Sequence, residues 1–457
     1  MLRPFAISCL LAVLALPLIA RTRPHYGGTL HVEIEGDPWQ RPDGLPRRLV
    51  FDGLTAIDAG GALRPALAIQ WESDNSAHRW QFHLRPGVHF HDGSPLTAQA
   101  VVASLNASCS AGCPWTAVRA VGSSVVFTGD SPMPNLPVLL AGGDFLIALT
   151  VNPDGSTASG AIGTGPFQLA GFNNGILSLT ANPNSWQGRP FVDAVEIRVH
   201  RAIRDQWLDL GVGRADVVEV PAEQLRQAAQ QRLRVISSPN AAMLALQLSS
   251  TGPLENPALR AAIAMAIDRG SLSNVIFQKQ GEVTAGIVPQ ALTGYAFLFP
   301  TDRDLNKSHE LRGGASIAPL KLSVQGDGAM QLAAQRIALN LREAGFSVQA
   351  TTDGNPQKSD LLLRTFPIES TEPAAVLESL IRAASQTQPV AAGQVQSVVD
   401  QSPVVLFKAE RTFLDRHTLI PLLDLPRAWA MGERVRDLQL LPGGALDLAN
   451  ASLEDAP

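Results

Sequence analysis

One segment narrows the fold more than any other. The run "PLKLSVQ" (319–325) alternates apolar and polar residues with the period of a half-buried strand. Ala333, Ile337 and Leu341 then recur at helical spacing, Gly345 stops the helix, and "FSVQA" (346–350) alternates again. Strand, helix, strand in that order is a βαβ unit, which places its strands parallel in one sheet with a right-handed crossover. "SDLLLRTF" (359–366) supplies a third strand of the same sheet. The fold class is therefore α/β.

Other segments carry weaker but consistent signals. "TLHVEIE" (29–35) alternates as an opening strand, with Glu33 and Glu35 on one polar face. In "WQFHLRPGVHFHDGSPLTAQAVVASL" (80–105), Trp80, Phe82 and Leu84 share a face, Pro86-Gly87 turns the chain, and Val88 and Phe90 face inward again. His83, His89 and His91 then point outward from a hairpin, and Thr97 caps a helix whose Val101 and Leu105 share a side. In "ENPALRAAIAMAIDRGSL" (255–272) Asn256 is the cap, Pro257 takes the first helical position and Gly270 is the expected stop. The 33 prolines and 38 glycines are dispersed, without repeats or a long polar linker, so the domains interleave or are joined by short crossings.

At the N-terminus, Arg3 precedes an apolar run from Phe5 to Ala20 that contains Pro17 and ends in Leu18, Ile19 and Ala20. The expectation is a secretory signal peptide, residues 1–20, rather than a membrane span. A formal net charge of -5 offers no basic stripe, so nucleic acid is not an expected partner. In an exported chain Cys109 and Cys113 can pair across a tight loop, with two free buried thiols as the alternative. No metal ligand set is expected, because zinc needs four ligands at suitable spacing. "GTGPFQL" (163–169) lacks the lysine and following helix of a phosphate loop, and neither a Gly-x-Ser-x-Gly elbow nor a His-Glu-x-x-His helix occurs. Glu33 and Glu35 could suit glycoside chemistry, but a solvated or ligand-facing strand face is the stronger reading. Neither an enzyme nor a cofactor is expected.

Taken in order, "YGGTLHV", "VFDGLTAID", "LRPALAIQWE", the stretch 80–105, "GTGPFQL", "NPNSWQGRPFVDAVEIRV", "GRADVVEVP", "NPALRAAIAMAIDRGSL" and "IPLLDLPRAWAMGERVRDLQLLP" resemble the extracytoplasmic solute-binding proteins of peptide, nickel and related ABC importers (family 5, dipeptide/oligopeptide type). The resemblance runs through nearly the whole chain after residue 20. It implies a two-lobed, periplasmic-binding-protein-like fold with an extra small subdomain and a hinge of crossing segments, "NAAMLALQLSS" and "HTLIPLLDL". Lobe I would comprise residues 21–52, 161–239 and 419–457, the subdomain 53–160, and lobe II 240–418.

The function so implied is non-catalytic: capture of a short peptide or peptide-like solute between the lobes, outside the cytoplasm, and delivery to an ABC permease, by a monomer. Alternatives are a nickel, metal-chelate or haem-like solute, or a sensor or interaction protein that retains the fold. The pocket is expected from Trp39, Gln40 and Arg41, from Met243, Ala245 and Gln247 on the first crossing segment, and from Phe366, Glu369, Ser370 and Thr371. In peptide-binding members an aspartate near the last group pairs with the solute's amine; here Glu369 or Glu372 would take that part. Trp71, Trp80 and Trp186 are assigned to the core, while Trp39, Trp115, Trp207 and Trp429 are freer, with Trp39 the preferred pocket aromatic.

Overall fold

The computed structural model of the chain describes residues 24–40, 44–109, 113–150, 161–295, 299–314, 316–326, 328–351, 359–387 and 402–454. The expected signal peptide and Arg41 lie outside them, as does the side chain of Gln40. Alternation in the first strand, β1 (Thr29–Glu33), is realised by the complete burial of Leu30 and Val32. β2 (Thr55–Ile57) and β3 (Leu63–Pro65) pair as a small ribbon. β4 (Ala68–Ser73), β5 (Arg79–Leu84), β6 (Ala117–Val121) and β7 (Ser124–Thr128) form a separate antiparallel sheet in the order β4-β5-β7-β6. Its core draws on residues 54–149, among them Phe82, Phe127, Val101 and Leu105.

The chain then returns to β1's sheet with β8 (Phe167–Asn173), β9 (Ile176–Ala181), β10 (Ala194–Arg198) and β11 (Val217–Val220). The long β12 (Arg234–Leu248) leads into the second half, where β13 (Glu282–Val283) is a short addition and β14 (Leu320–Val324), β15 (Val348–Thr351) and β16 (Leu361–Pro367) extend the sheet. β14 pairs in parallel with both β15 and β16, as the βαβ reading requires. The intervening helix, Ala329–Glu343, buries Ala333, Ile337 and Leu341. β17 (Leu419–Met431) then crosses back.

The full order is β15-β14-β16-β12-β17-β11-β1-β10-β9-β8, with β13 on β17. β12 and β17 therefore belong to both halves. Their first-half segments pair Arg234–Ser238 with Arg427–Met431, and the register shifts between Ser238 and Ala242 before pairing resumes with Leu425. Beyond that irregularity β12 is covered on both faces: Leu244 and Leu246 join one core with Ile263 and Ile337, and Met243 and Ala245 join another with Phe366 and Leu377.

Several local expectations are corrected. Residues 86–91 do not return as a second arm against β5, because β4 and β7 take both of its edges. His91 does not point outward: its Nε2 lies 3.1 Å from Gly165 O, and Nδ1 accepts the Gly163 N–H at 3.3 Å. Nδ1 is thus the acceptor and Nε2 carries the proton, and burial holds the pKa below the usual histidine value. The helix from Pro257, capped by Asn256, ends at Ala266 rather than Gly270, because Asp268 caps a new turn through Ser271 N–H. Glu33 is fully buried against Arg198 and Arg201, so it is no solvated strand face. Trp115 and Trp207 are core residues, and Trp429 is fully buried where β17 borders the cleft. Cys109 and Cys113 pair as a disulfide, with Cα atoms 5.7 Å apart.

Candidate functional site

A cleft of about 1010 Å³ lies between the two halves. The crossing strands pass through it, contributing Ala242 from β12 and Leu425 to Trp429 from β17. The first half contributes Glu35, Asp37 and Arg47 around the end of β1 and Glu219 to Gln224 at the end of β11. The subdomain adds Val138, Leu139 and the Gly142-Gly143-Asp144 loop. The second half adds Gln325 and Met330 at the start of its long helix, Arg364, Thr365 and Pro367 on β16, Glu369 and Ser370 after it, and Ser379 and Arg382 on the helix Pro373–Thr387.

Both walls carry both signs of charge, with acids in excess on the first, beside Arg47 and Arg427, and arginines in excess on the second. Glu35, Asp37, Glu219 and Glu223 all come from the first half, where burial raises the Glu223 pKa. Gln206 fixes Glu219 by accepting its backbone N–H at 2.9 Å. Arg364 and Arg382 come from the second half, where burial lowers the Arg364 pKa against the opposing pull of Asp144. Glu369 is the acid of that wall, but both its oxygens are used: Oε1 accepts from Arg48 Nη2 at 2.6 Å and Oε2 from Gly143 N–H at 3.1 Å.

Among the residues expected in the pocket, the structure brings Glu369 and Ser370 to the cleft. Thr371 sits beside it, its hydroxyl donating to Gly61 O at 3.1 Å. Met243, Ala245 and Phe366 have no exposed surface and belong to the core under the helix Pro373–Thr387; their neighbours Ala242, Thr365 and Pro367 face the cleft instead. Gln247 is equally buried and donates to Ala384 O. The reason on β12 is that beyond Ala242 both faces of the strand are packed into cores, so neither set of alternate residues reaches the cleft. Trp39 is 39% exposed on the short turn Pro38–Gln40, outside the cleft lining. Residues not anticipated are Arg364, Arg382, Glu219, Glu223 and Asp144. A signal existed for two of them: Arg364 interrupts "LLLRTF", and Arg382 follows Glu378 by four residues as the only other charged residue of its helix.

Residues 62–368 match the sequence profile of the bacterial extracellular solute-binding proteins, family 5. The chain belongs to that family. Among its relatives, the probable di/tripeptide-binding protein 5 of Pseudomonas aeruginosa (strain UCBPP-PA14) is 23% identical over 89% of this chain and 90% of that one. The probable D,D-dipeptide-binding periplasmic protein DdpA of Escherichia coli (strain K12) is 28% identical over 58% of this chain and 55% of its own. Among solved structures, the PBP AgaA in complex with agropinic acid (A. tumefaciens R10) superposes with a TM-score of 0.83 at 20% identity, covering 94% of this chain and 99% of AgaA. DppA from Helicobacter pylori in complex with the peptide STSA gives a TM-score of 0.77 at 18% identity, covering 94% and 99%. The two-lobed fold of the family's solute-binding proteins is thus the fold of this chain, and the cleft lies where the lobes meet. Among the described residues no group of His, Cys, Asp or Glu could hold a metal ion, and no helix is long and apolar enough to cross a membrane.

Proposed function

We propose that this solute-binding protein serves an ABC importer, capturing a short peptide or peptide-like solute and presenting it to the permease as a monomer. Export would be directed by residues 1–20. Lobe I would comprise 21–52, 161–239 and 419–457, the subdomain 53–160, and lobe II 240–418. The observation that carries the reading is the cleft itself, bridged by β12 and β17, with Glu35, Asp37, Glu219 and Glu223 beside Arg47 and Arg427 on the first lobe, and Arg364 and Arg382 beside Glu369 on the second. A zwitterionic solute, with an ammonium at one end and a carboxylate at the other, finds partners for both ends in such a cleft, acids in excess on the first lobe and arginines on the second. The names of the relatives in Pseudomonas and Escherichia, a probable di/tripeptide-binding protein and a probable D,D-dipeptide-binding protein, support the same class.

Thermal unfolding of the exported chain against di- to pentapeptides, nickel chelates, haem and oligosaccharides tests the proposal. A solute that binds only the folded state, at about 100 times its dissociation constant, adds roughly 2.7 kcal/mol of stability. Stabilisation by peptides alone is expected. A response confined to nickel chelates or haem would replace the peptide reading.

A further inference from the structure

With Glu369 committed to Arg48 and Gly143, the chemistry that the second lobe presents to a solute centres on two guanidinium groups. Arg364 on β16 and Arg382 on the helix Pro373–Thr387 both line the cleft. Each is stacked: the Arg364 guanidinium carbon lies 4.6 Å from the Phe366 ring centre, and that of Arg382 lies 4.6 Å from the centre of Phe145. Stacking fixes the plane of a guanidinium and so aims its N–H edges, the fork that matches a carboxylate. The Arg382 side chain is 11% exposed, and its Nε makes no hydrogen bond among the described residues. Its ion-pair partner is Asp144, at 3.3 Å, a half-exposed carboxylate on the subdomain loop that follows Gly142 and Gly143. The negative charge of Asp144 also favours the protonated form of Arg364.

We propose that Arg382 is the subsite for a carboxylate of the solute, and that Asp144 is an internal carboxylate on that guanidinium which the solute displaces. This rests on the solute-binding reading and adds to it the chemistry of one end of the solute. A single contact from a half-exposed aspartate is a weak competitor for a carboxylate that can take both N–H edges in a desolvated cleft.

The first experiment uses succinate as probe, against sodium chloride at equal ionic strength, on the full exported chain. Succinate should raise the Tm of Asp144→Asn more than that of the unsubstituted protein. The extra shift should vanish in Asp144→Asn combined with Arg382→Gln and return in part with Arg382→Lys, which keeps the charge without the fork. Equal shifts in all of these overturn the subsite. Trialanine and trialanine amide then identify the source of the carboxylate by calorimetry. The acid should bind about tenfold or more tightly than the amide, the value of a charge-assisted hydrogen bond. An amide that binds as well as the acid also overturns the proposal. A succinate response without binding of either peptide upholds the subsite and overturns the peptide reading.

Discussion

At the scale of single residues, Asp424 is the group most out of place. It lies on β17, is 2% exposed, and its Oδ1 has no hydrogen-bond partner among the described residues. Burial first, then the charges of Glu282 and Glu410, push its pKa from 3.8 up to about 7. The folded chain therefore keeps a proton that the unfolded chain loses, so stability falls as pH rises from about the ordinary carboxyl value through about 7. Asp424→Asn removes that cost. Urea unfolding should show a gain that is small near pH 4, grows with pH, and levels off above pH 7 at up to about 4 kcal/mol. A gain independent of pH would mean that the carboxyl is not held protonated. Like Arg364, Asp424 was legible as an oddity, a charge inside the apolar run "IPLLDLPR". Its surroundings were not, because Glu282 and Glu410 reach it from distant parts of the chain.

Among the elements, the legible ones were those with a single buried face. Alternation in β1 and β14 and the stripe of the helix Ala329–Glu343 each encode one inward side, and the structure follows them. β12 beyond Ala242 is buried on both faces, which erases the alternation, so the sequence could not say which residues meet the cleft. "GTGPFQL" was unreadable for a different reason: its glycines answer to a backbone contact made far away in the chain. A Cβ on Gly163 would fall 2.0 Å from Val50 O, and one on Gly165 2.6 Å from Leu49 O. His91 holds the same loop from the subdomain side. The loop is a joint between the subdomain and the first lobe, and it admits no side chain. Gly163→Ala should cost about 2–4 kcal/mol in chemical denaturation, since the obstruction is main chain and cannot rotate away. Gly171→Ala, whose nearest neighbour is the Asn173 side chain at 3.5 Å, is the control and should cost far less.

On the scale of the whole molecule, the halves are held together by more than the crossing strands. Arg48 in the first lobe pairs with Glu369 in the second at 2.6 Å, and Glu369 also takes the subdomain's Gly143 N–H. Asn135 Nδ2 donates to the buried Glu378 at 3.1 Å, and Thr371 donates to Gly61 O at 3.1 Å. Each of these ties spans separate cores, so each exists only while the lobes are together. The register shift in β12 between Ser238 and Ala242 lies between the parts of that strand that belong to each lobe, which makes it the place to absorb an opening. Two states joined by such a hinge are populated according to the difference in their contacts. A charge-assisted hydrogen bond is worth about 1.5–3 kcal/mol, enough to change the ratio of open to closed by roughly 10- to 150-fold. Glu369→Gln should therefore increase the radius of gyration of the solute-free protein in small-angle scattering. Arg48→Met should match it, and the double substitution should add little, because both remove one shared interaction. Full additivity would show that the two side chains act apart, and an unchanged radius would show that the crossing strands alone set the closure.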